Sequence, residues 1–212
     1  FKVKILECEF TGMLLKIQSF DVWTTLVGNF NAKNLLSVYA TADLLGLSSL
    51  SILRGISELK SVEGRFQVFQ SVDNITVVID YAHTPDALFN VLTTINIIRT
   101  RNENLITVVG CGGNRDQEKR PIMGEKAVLL SDKVIFTSDN PRDEDPAIII
   151  SDMIKGVPPE HYKKAIKVTL REEAILMAGQ LAKPGDIVLI AGKGHEKYQE
   201  IKGKRNHFSD LE

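Results

Sequence analysis

The chain has 212 residues, enough for one large domain or two small ones with buried cores. Its 26 basic and 27 acidic side chains nearly cancel, so the charge gives no sign of non-specific attraction to nucleic acid or membranes. No apolar run is long enough to cross a bilayer, and no signal-peptide pattern is found. Cys8 and Cys111 make no disulfide framework, and no Cys/His cluster has metal-ligand spacing. We therefore expect a cytoplasmic location, no metal site and no membrane insertion.

Both ends of the sequence look cut. The chain enters a strand-like pattern directly at Phe1, and Leu211-Glu212 is typical of a cloning remnant. The expectation is a piece of a longer protein.

The first 70 residues predict strands followed by helices. Lys2–Phe10 and Met13–Ile17 alternate apolar and polar residues, and Trp23–Val27 is another short apolar run. Apolar residues at helical spacing then cover Leu35–Leu45, and a second short helix is predicted around Ile52–Leu59. No crossover unit precedes the first strands, so residues 1–70 are not expected to form a complete domain.

From residue 71 onward the pattern changes to repeated strand–loop–helix units, which predict a doubly wound, mostly parallel sheet. Helices are predicted after Thr84-Pro85, at Pro121, after Asp145-Pro146 with an exit at Gly156, and after a capping box at Thr169–Glu172. The predicted strands are Ile75–Ile79, Leu105–Val109, Lys133–Phe136, Ala165–Val168 and Ile187–Ile190. The sequence thus predicts an α/β fold with a second domain over 71–212.

The segment Asp139-Asn-Pro-Arg142 lies between a predicted strand and a predicted helix, at the edge where open α/β sheets bind ligands. Arg142 offers a rigid fork of donors for a carboxylate, and Asp139 offers an anion for an ammonium group. Together they suit an amino-acid head group. The alternative is an ordinary turn, because Asn-Pro favours turns.

Three further loops follow predicted strands. In Asp80–Pro85, the acid could accept from a ribose hydroxyl and His83 could donate to a phosphate, or both could serve local structure. In Gly110–Asp116, the glycines allow close backbone approach and Arg115 could bind a carboxylate, or the glycines could simply form a turn. In Gly192–Glu196, the acid could bind an ammonium group, or the loop could be a cap. Their common position at one edge of a sheet favours a shared site.

These loops, in this order, resemble the Mur ligase family of ATP-dependent amino-acid ligases, which build the peptidoglycan precursor. The phrases that carry the resemblance are Gly28-Asn-Phe-Asn31…Asn34, Gly64-Arg65, Asp80–Pro85, Gly110–Asp116 with Lys119-Arg-Pro121, Asp139–Arg142 and Gly192–Glu196. The family has a uridine-nucleotide domain, a central ATP-binding domain and a Rossmann-like domain for the incoming amino acid. The resemblance therefore implies that residues 1–70 are the end of the central domain and residues 71–212 the C-terminal domain.

The resemblance also implies roles for individual residues. With arginine at position 142, the sequence resembles the diaminopimelate-adding branch of the family, since lysine-adding relatives differ at this position. Asn114 stands where the family usually has Asp, which leaves the role of that position open. The implied diaminopimelate-binding residues are Arg115, Asp139, Asn140, Pro141, Arg142, Gly192 and Glu196, and the implied ATP-binding residues are Asn31, Asn34, Arg65, Asp80 and His83.

The resemblance implies that ATP, with Mg²⁺, phosphorylates the γ-carboxylate of a D-glutamyl residue and that the amine of the incoming amino acid then attacks the acyl phosphate. The sequence contains neither a glycine-rich Lys-Ser/Thr loop nor the family's modified lysine, and no catalytic residue is assigned. We expect these 212 residues alone not to turn over, and we expect a monomer with small-molecule substrates and no nucleic acid. The alternatives are a lysine-adding ligase, a folylpolyglutamate synthetase and a non-catalytic Rossmann-like nucleotide-binding module.

Overall fold

The computed structural model describes all 212 residues. The chain forms two compact units, Phe1–Val62 and Glu63–Glu212. The sequence pattern places the change later, at 70/71. The difference arises because the polar segment Gln67–Gln70 forms a strand that belongs to the second unit. None of the helices combines the length and apolar composition needed to span a bilayer.

The first unit is a three-stranded antiparallel sheet with two helices. The strands are β1 (Val3–Glu9), β2 (Gly12–Ile17) and β3 (Phe20–Thr24), in the order β1-β2-β3. The helices are α1 (Asn29–Leu44) and α2 (Ser49–Glu58), which pack against each other. The inward side chains of β2, including Met13, Leu15 and Ile17, form a core with Leu35 and Ile56 of the two helices.

The second unit is built on a six-stranded sheet in the order β4-β5-β9-β6-β7-β8. All neighbouring strands are parallel except β4 and β5. The strands are β4 (Gln67–Gln70), β5 (Thr76–Asp80), β6 (Leu105–Cys111), β7 (Lys133–Ser138), β8 (Ala165–Lys167) and β9 (Ile187–Ala191). The predicted fold class is confirmed.

Helices cover both faces of this sheet, and Pro159–Lys164 forms a short 3₁₀ helix. The helices are α3 (Pro85–Ile98), α4 (Lys119–Leu130), α5 (Pro146–Ile154) and α6 (Arg171–Leu181). Alternate side chains of β6 point to opposite faces. Cys111 contacts Met123 of α4, whereas Val108 packs with Ala174 and Ala178 of α6. As predicted, Thr84 and Asp145 cap α3 and α5 by accepting from backbone N–H groups.

Four details differ from the sequence predictions. The strand β4 is not predicted, because Gln67–Gln70 lacks the expected apolar alternation. A hairpin of β10 (Tyr198–Ile201) and β11 (Lys204–His207) is not predicted for the same reason. The helix α4 begins before Pro121, at Lys119. The capping box at Thr169–Glu172 is wrong, since Leu170 is the N-cap and makes no side-chain capping bond.

Candidate functional site

Four strand-ending loops meet at the carboxyl edge of the large sheet. They follow β5, β9, β6 and β7, which are neighbours in that order. They enclose a cleft of about 500 Å³, within the range of small-ligand sites, about 300–1,000 Å³. The cleft is lined by Tyr81, His83, Thr84, Gly112, Arg115, Asp116, Lys119, Asp139, Asn140, Arg142, Gly192, Glu196 and Tyr198. Seven of the residues selected from the sequence therefore lie in one place: His83, Arg115, Asp139, Asn140, Arg142, Gly192 and Glu196.

The backbone of Arg142 is held in an unusual conformation by the β10–β11 hairpin. Its φ angle is 51°, in the left-handed region that non-glycine residues seldom adopt. Its N–H donates to the carbonyl of Glu200 at 3.0 Å, and its own carbonyl accepts from Lys202 N–H at 2.7 Å. These two bonds fix the arginine at the edge of the cleft, which is the pattern expected of stored strain at a functional site.

The guanidinium of Arg142 is held by contacts within the chain but keeps donor groups free. Its Nη1 donates to the Gly113 carbonyl at 2.8 Å, and its Nε lies 3.7 Å from Glu200 Oε2. No hydrogen bond from Nη2 is found. The side chain is 19% exposed and lines the cleft. It therefore presents a fixed donor edge to a ligand and does not point into bulk solvent.

Asp139 is a buried carboxylate without a hydrogen-bond donor of its own. The residue is only 7% exposed, its carboxylate faces the cleft, and no hydrogen bond to it is made within the chain. Burial raises the pKa of the Asp139 carboxyl, and the nearby charges of Arg171 and Lys193 partly oppose that rise. This buried anion therefore has no hydrogen-bonded partner within the chain, and the cation of a ligand would supply one.

Glycine at position 192 makes room for that carboxylate. Gly192 has φ 119°, and a Cβ built on it would lie 2.6 Å from Asp139 Oδ2. Its N–H donates to the carbonyl of Asp80 at 3.0 Å, which fixes the backbone. Any side chain here would both strain the backbone and collide with the anion.

Glu196 is the second carboxylate of the cleft and is held from three sides. Its Oε2 accepts from Asn140 Nδ2 at 2.8 Å and from Lys193 Nζ at 3.1 Å. Its Oε1 accepts only a long bond, 3.4 Å, from the hydroxyl of Tyr81. Burial, then Glu196, raises the pKa of Tyr81, so the phenol stays a donor near neutral pH. One oxygen of Glu196 is thus saturated and the other is available.

Basic groups occupy the exposed part of the cleft. Arg115 is exposed, and its Nη1 donates only to the neighbouring carbonyl of Asn114. Lys119 donates to the carbonyl of His83 at 2.8 Å and so ties α4 to the loop after β5. The ring of His83 contacts the Tyr81 ring edge-on at 4.6 Å. The cleft therefore combines one buried and one partly buried carboxylate with cations that are more accessible.

In the glycine-rich loop after β6, Gly113 allows close packing against the loop after β7. Gly113 N–H donates to the Asn140 carbonyl at 2.9 Å, and a Cβ on Gly113 would lie 1.9 Å from the Pro141 carbonyl oxygen. The sequence suggests that these glycines serve ligand contact. At Gly113 the structure shows instead that the loops after β6 and β7 are packed backbone to backbone.

Asn114, whose role the sequence leaves open, joins the same two loops. It has φ 52°, its N–H donates to Glu144 Oε1, and its side-chain amide donates to Asp143 Oδ2 at 2.7 Å. The same Glu144 accepts two bonds from Arg120, whose side chain is fully buried. An amide suits this position better than a carboxylate would, because a second anion would face Asp143.

The remaining predicted residues of the second unit lie outside this cleft. Pro141 is buried, and its carbonyl accepts from Glu144 N–H. Asp80 is 6% exposed, and its two oxygens accept from the N–H groups of Phe66 and Ala82 at 2.7 Å. Burial raises the pKa of Asp80. Arg65 lies over the Tyr81 ring at 4.5 Å. Asp80 thus has a structural role, while its contact with ribose stays a prediction.

In the first unit, Asn31 and Asn34 lie on the first turns of α1. Asn31 donates to the carbonyl of Val27 at 2.8 Å, and Asn34 is exposed. Their predicted contact with adenine also stays a prediction.

Sequence reasoning missed several residues of the site. Tyr81, Lys119 and Tyr198 line the cleft, and the fully buried Lys193 lies behind it. Lys193 stands between two glycines, where a lysine is easily taken for a surface residue. The one local signal for the hairpin that carries Tyr198 is the glycine-containing pair Lys202-Gly203, but the flanking residues lack the apolar alternation that would make it a hairpin prediction. That turn has φ 49° at Lys202 and 73° at Gly203.

The site offers binding and positioning groups but no activated thiol. Burial raises the pKa of Cys111 to about 12, so this thiol stays protonated at neutral pH. The arrangement suits a ligand that carries both ammonium and carboxylate groups.

Replacing Gly192 by alanine is expected to abolish ligand binding while the chain stays folded. The new methyl group would occupy the space of Asp139 Oδ2 and push that carboxylate out of place. Calorimetric titration with a ligand that carries ammonium and carboxylate groups measures binding, and circular dichroism measures folding. Gly179→Ala is the matched control, because a Cβ at that position would meet no atom within 4 Å. Undiminished binding by Gly192→Ala would contradict the assigned geometry.

The fold and the cleft define an α/β domain that binds small ligands at the carboxyl edge of its sheet. Residues 64–194 match the family model described as Mur ligase, glutamate ligase domain. The chain belongs to the Mur ligase family.

Curated relatives named UDP-N-acetylmuramoyl-L-alanyl-D-glutamate–2,6-diaminopimelate ligase are similar along all or most of the chain. The protein of Phocaeicola vulgatus is 51% identical over 212 residues, which is 100% of this chain and 44% of the relative. That of Bacillus velezensis is 47% identical over 192 residues, 91% of this chain and 38% of the relative. The chain therefore spans less than half the length of the curated relatives it matches.

Solved structures agree with this placement. A structure of a ligase with the same name is 40% identical, with a TM-score of 0.68, and covers 98% of this chain and 43% of that one. The folylpolyglutamate synthase of Mycobacterium tuberculosis complexed with ADP has a TM-score of 0.70 and 19% identity, covering 90% of this chain and 45% of that one. The second likeness concerns the fold alone.

Proposed function

We propose that this chain is the amino-acid-binding part of an ATP-dependent ligase that adds meso-diaminopimelate to UDP-N-acetylmuramoyl-L-alanyl-D-glutamate in peptidoglycan synthesis. In the whole protein, the γ-carboxylate of the D-glutamyl residue takes the terminal phosphoryl group of ATP. The diaminopimelate amine attacks the acyl phosphate, the new amide forms, and phosphate leaves with the transferred oxygen. Phe1–Val62 would belong to the ATP-binding domain and Glu63–Glu212 to the amino-acid domain.

The observation that carries this proposal is the distribution of charge in the cleft. Asp139 and Glu196 are anions with free hydrogen-bonding capacity, and they suit ammonium groups. Arg142 and Arg115 are cations in the same cleft, and they suit carboxylates. A diamino dicarboxylic acid suits this set: one of its ammonium groups would lie between the two anions, its two carboxylates would pair with the two arginines, and its other amine would remain the nucleophile.

Arg142 favours diaminopimelate over lysine, the substrate of the lysine-adding alternative. The two ligands share one head group, and only diaminopimelate has a carboxylate at its far end. A lysine in the cleft would leave the guanidinium without that partner. A hydrogen bond to a charged group contributes about 1.5–3 kcal/mol, which permits discrimination up to about a hundredfold. The relatives at about 50% identity, all named as diaminopimelate ligases, support the same choice.

ATP is proposed as a substrate of the whole protein, with Asn31, Asn34, Arg65, Asp80 and His83 as its predicted contacts. Mg²⁺ is expected to accompany ATP, where it would neutralise phosphate charge. The chain contains no group of three or more His, Cys, Asp or Glu side chains placed to hold a metal ion. The role proposed for these residues is to bind and orient the substrates.

Binding of meso-diaminopimelate to the 212-residue chain tests the proposal. It is expected to be strong near neutral pH and to be lost on acidification, because Asp139 pairs with an ammonium group only when ionised. Since burial raises the pKa of Asp139, this loss should come at higher pH than the ordinary value of about 3.9 for an aspartate. Isothermal titration calorimetry across the range from acidic to neutral pH measures it.

Asp139→Asn should weaken binding at neutral pH and remove most of this pH dependence. Asp73→Asn, an exposed aspartate outside the cleft, should behave as the unaltered chain. Absence of any binding by the unaltered chain, or a pH profile unchanged in Asp139→Asn, would count against the proposed site.

A further inference from the structure

Lys193 is a buried cation without direct access to the cleft. Its side chain is 0% exposed, and its residue does not line the cleft. Its Nζ donates to Asn140 Oδ1 at 3.2 Å and to Glu196 Oε2 at 3.1 Å, and it lies 5.4 Å from the centroid of the Tyr198 ring. A fully buried ammonium group is costly unless it is paired, so these contacts fix its position.

These contacts determine how Asn140 and Glu196 are presented. The oxygen of the Asn140 amide faces two donors, Lys193 Nζ and Glu200 N–H, so its nitrogen must turn toward Glu196. Glu196 Oε2 then receives one bond from Asn140 and one from Lys193. Its other oxygen, Oε1, is left for the ligand.

Lys193 also takes part in the charge balance around Asp139. The charged groups acting on that carboxylate are Arg171, Lys193, Glu196 and Asp210. Together with Asp139 itself, the set has three anions and two cations, so its formal charge is −1. A ligand ammonium group neutralises it. Without Lys193 the negative excess would be larger, which would favour protonation of Asp139.

We propose that Lys193 is the positioning residue of the amino-acid site: it holds Glu196 with one oxygen saturated and one offered to the ligand ammonium. This inference rests on the proposed function, because it assumes that the cleft binds a diamino acid. Lys193 itself does not contact the ligand.

The test compares meso-diaminopimelate binding by Lys193→Met and by the unaltered chain. Methionine is unbranched and only one atom shorter than lysine, and it carries no charge. The dissociation constant should rise by about tenfold or more, the loss expected for a hydrogen bond to a charged group. The acidic limit, which is the pH below which binding is lost, should also move to higher pH in Lys193→Met. The reason is that this variant lacks a positive charge that favours the ionised form of Asp139. A residue with only a packing role would not move that limit.

Two further variants complete the test. Lys193→Arg retains the charge and should keep the acidic limit at its original pH. Lys197→Met is the matched control, since Lys197 is 61% exposed and pairs only with Glu63 at the surface. It should change neither quantity. If Lys193→Met bound meso-diaminopimelate as tightly as the unaltered chain and with the same acidic limit, the inference would be overturned. The proposed function would remain intact.

A measurement on the unaltered chain does not depend on how the variants fold. The buried Nζ ammonium of Lys193 should give a slowly exchanging ¹⁵N NMR signal that shifts when meso-diaminopimelate saturates the cleft. A signal that does not respond to bound ligand would overturn the inference. If the unaltered chain binds no diamino acid at all, the proposed function fails first.

Discussion

Arg142→Ala is expected to weaken binding of meso-diaminopimelate by about 10- to 100-fold and to leave lysine binding nearly unchanged. The guanidinium has one edge tethered to the Gly113 carbonyl and the other free for a ligand carboxylate. Only diaminopimelate has a second carboxylate to bind there. Calorimetric titrations of both ligands measure the two effects.

The matched control is Arg101→Ala. Arg101 is also an arginine with positive φ, 71° against 51° at Arg142, so both substitutions have the same backbone consequence. Arg101 is exposed and lies outside the cleft, and its loss should affect neither ligand. Arg142→Lys should recover only part of the affinity, because a point charge does not reproduce a two-pronged donor. Equal losses for diaminopimelate and lysine would refute the role given to Arg142.

Arg171→Met is expected to lower the free energy of unfolding of the second unit by about 3–5 kcal/mol. Arg171 and Asp210 have side chains that are both 0% exposed, and the guanidinium makes two bonds of 2.7 Å to the carboxylate. It also donates to the Ala191 carbonyl at 3.0 Å, at the end of β9. Methionine would leave Asp210 as an unpaired buried charge. Hydrogen exchange of the β6 amides under native conditions measures the loss.

Arg54→Met is the same substitution at an exposed pair, Arg54 and Glu58, with side chains 80% and 64% exposed. It should change stability by less than about 1 kcal/mol. The double variant Arg171→Met with Asp210→Leu should recover most of the lost stability, since it removes both charges together. If Arg171→Met alone cost no more than Arg54→Met, the buried pair would not have the structural importance that we assign to it.

The parallel sheet and its rim could be predicted from the sequence because local pattern determines both. The runs Leu105–Val109 and Ile187–Ile190 are continuous and β-branched, which is typical of strands buried on two faces. Each is followed directly by glycine-containing loops. Since parallel strands end at one edge, Arg115 and Glu196 could be expected near Asp139 without knowledge of the strand order.

The polar parts of the fold could not be predicted because their strands carry no apolar pattern. Tyr198–Ile201 and Lys204–His207 form a two-stranded sheet of their own, and a single bridge between Ile201 and Arg142 joins this sheet to the loop after β7. The hairpin nevertheless supplies both backbone bonds that hold Arg142 in its left-handed conformation. Similarly, Gln67–Gln70 pairs with β5 and moves the boundary of the second unit to Glu63.

Burial of charged residues is the other feature hidden from sequence reasoning. Lys193, Arg120 and Arg171 are buried, against the usual preference of these residue types. Arg120 and Arg171 pair with acids 24 and 39 residues away, and Lys193 donates to Asn140, 53 residues away, as well as to the nearby Glu196. Such pairs depend on tertiary contacts that no local pattern reveals. At the start of α6, the capping pattern of Thr169–Glu172 gives way to the buried pair of Arg171.

The most direct test of the account is a crystal structure of the chain with meso-diaminopimelate. The account predicts one ligand carboxylate within about 3 Å of the Arg142 guanidinium and an ammonium group at a similar distance from Asp139 and Glu196 Oε1. A ligand bound elsewhere, or bound in the cleft with Arg142 turned away from both carboxylates, would contradict it.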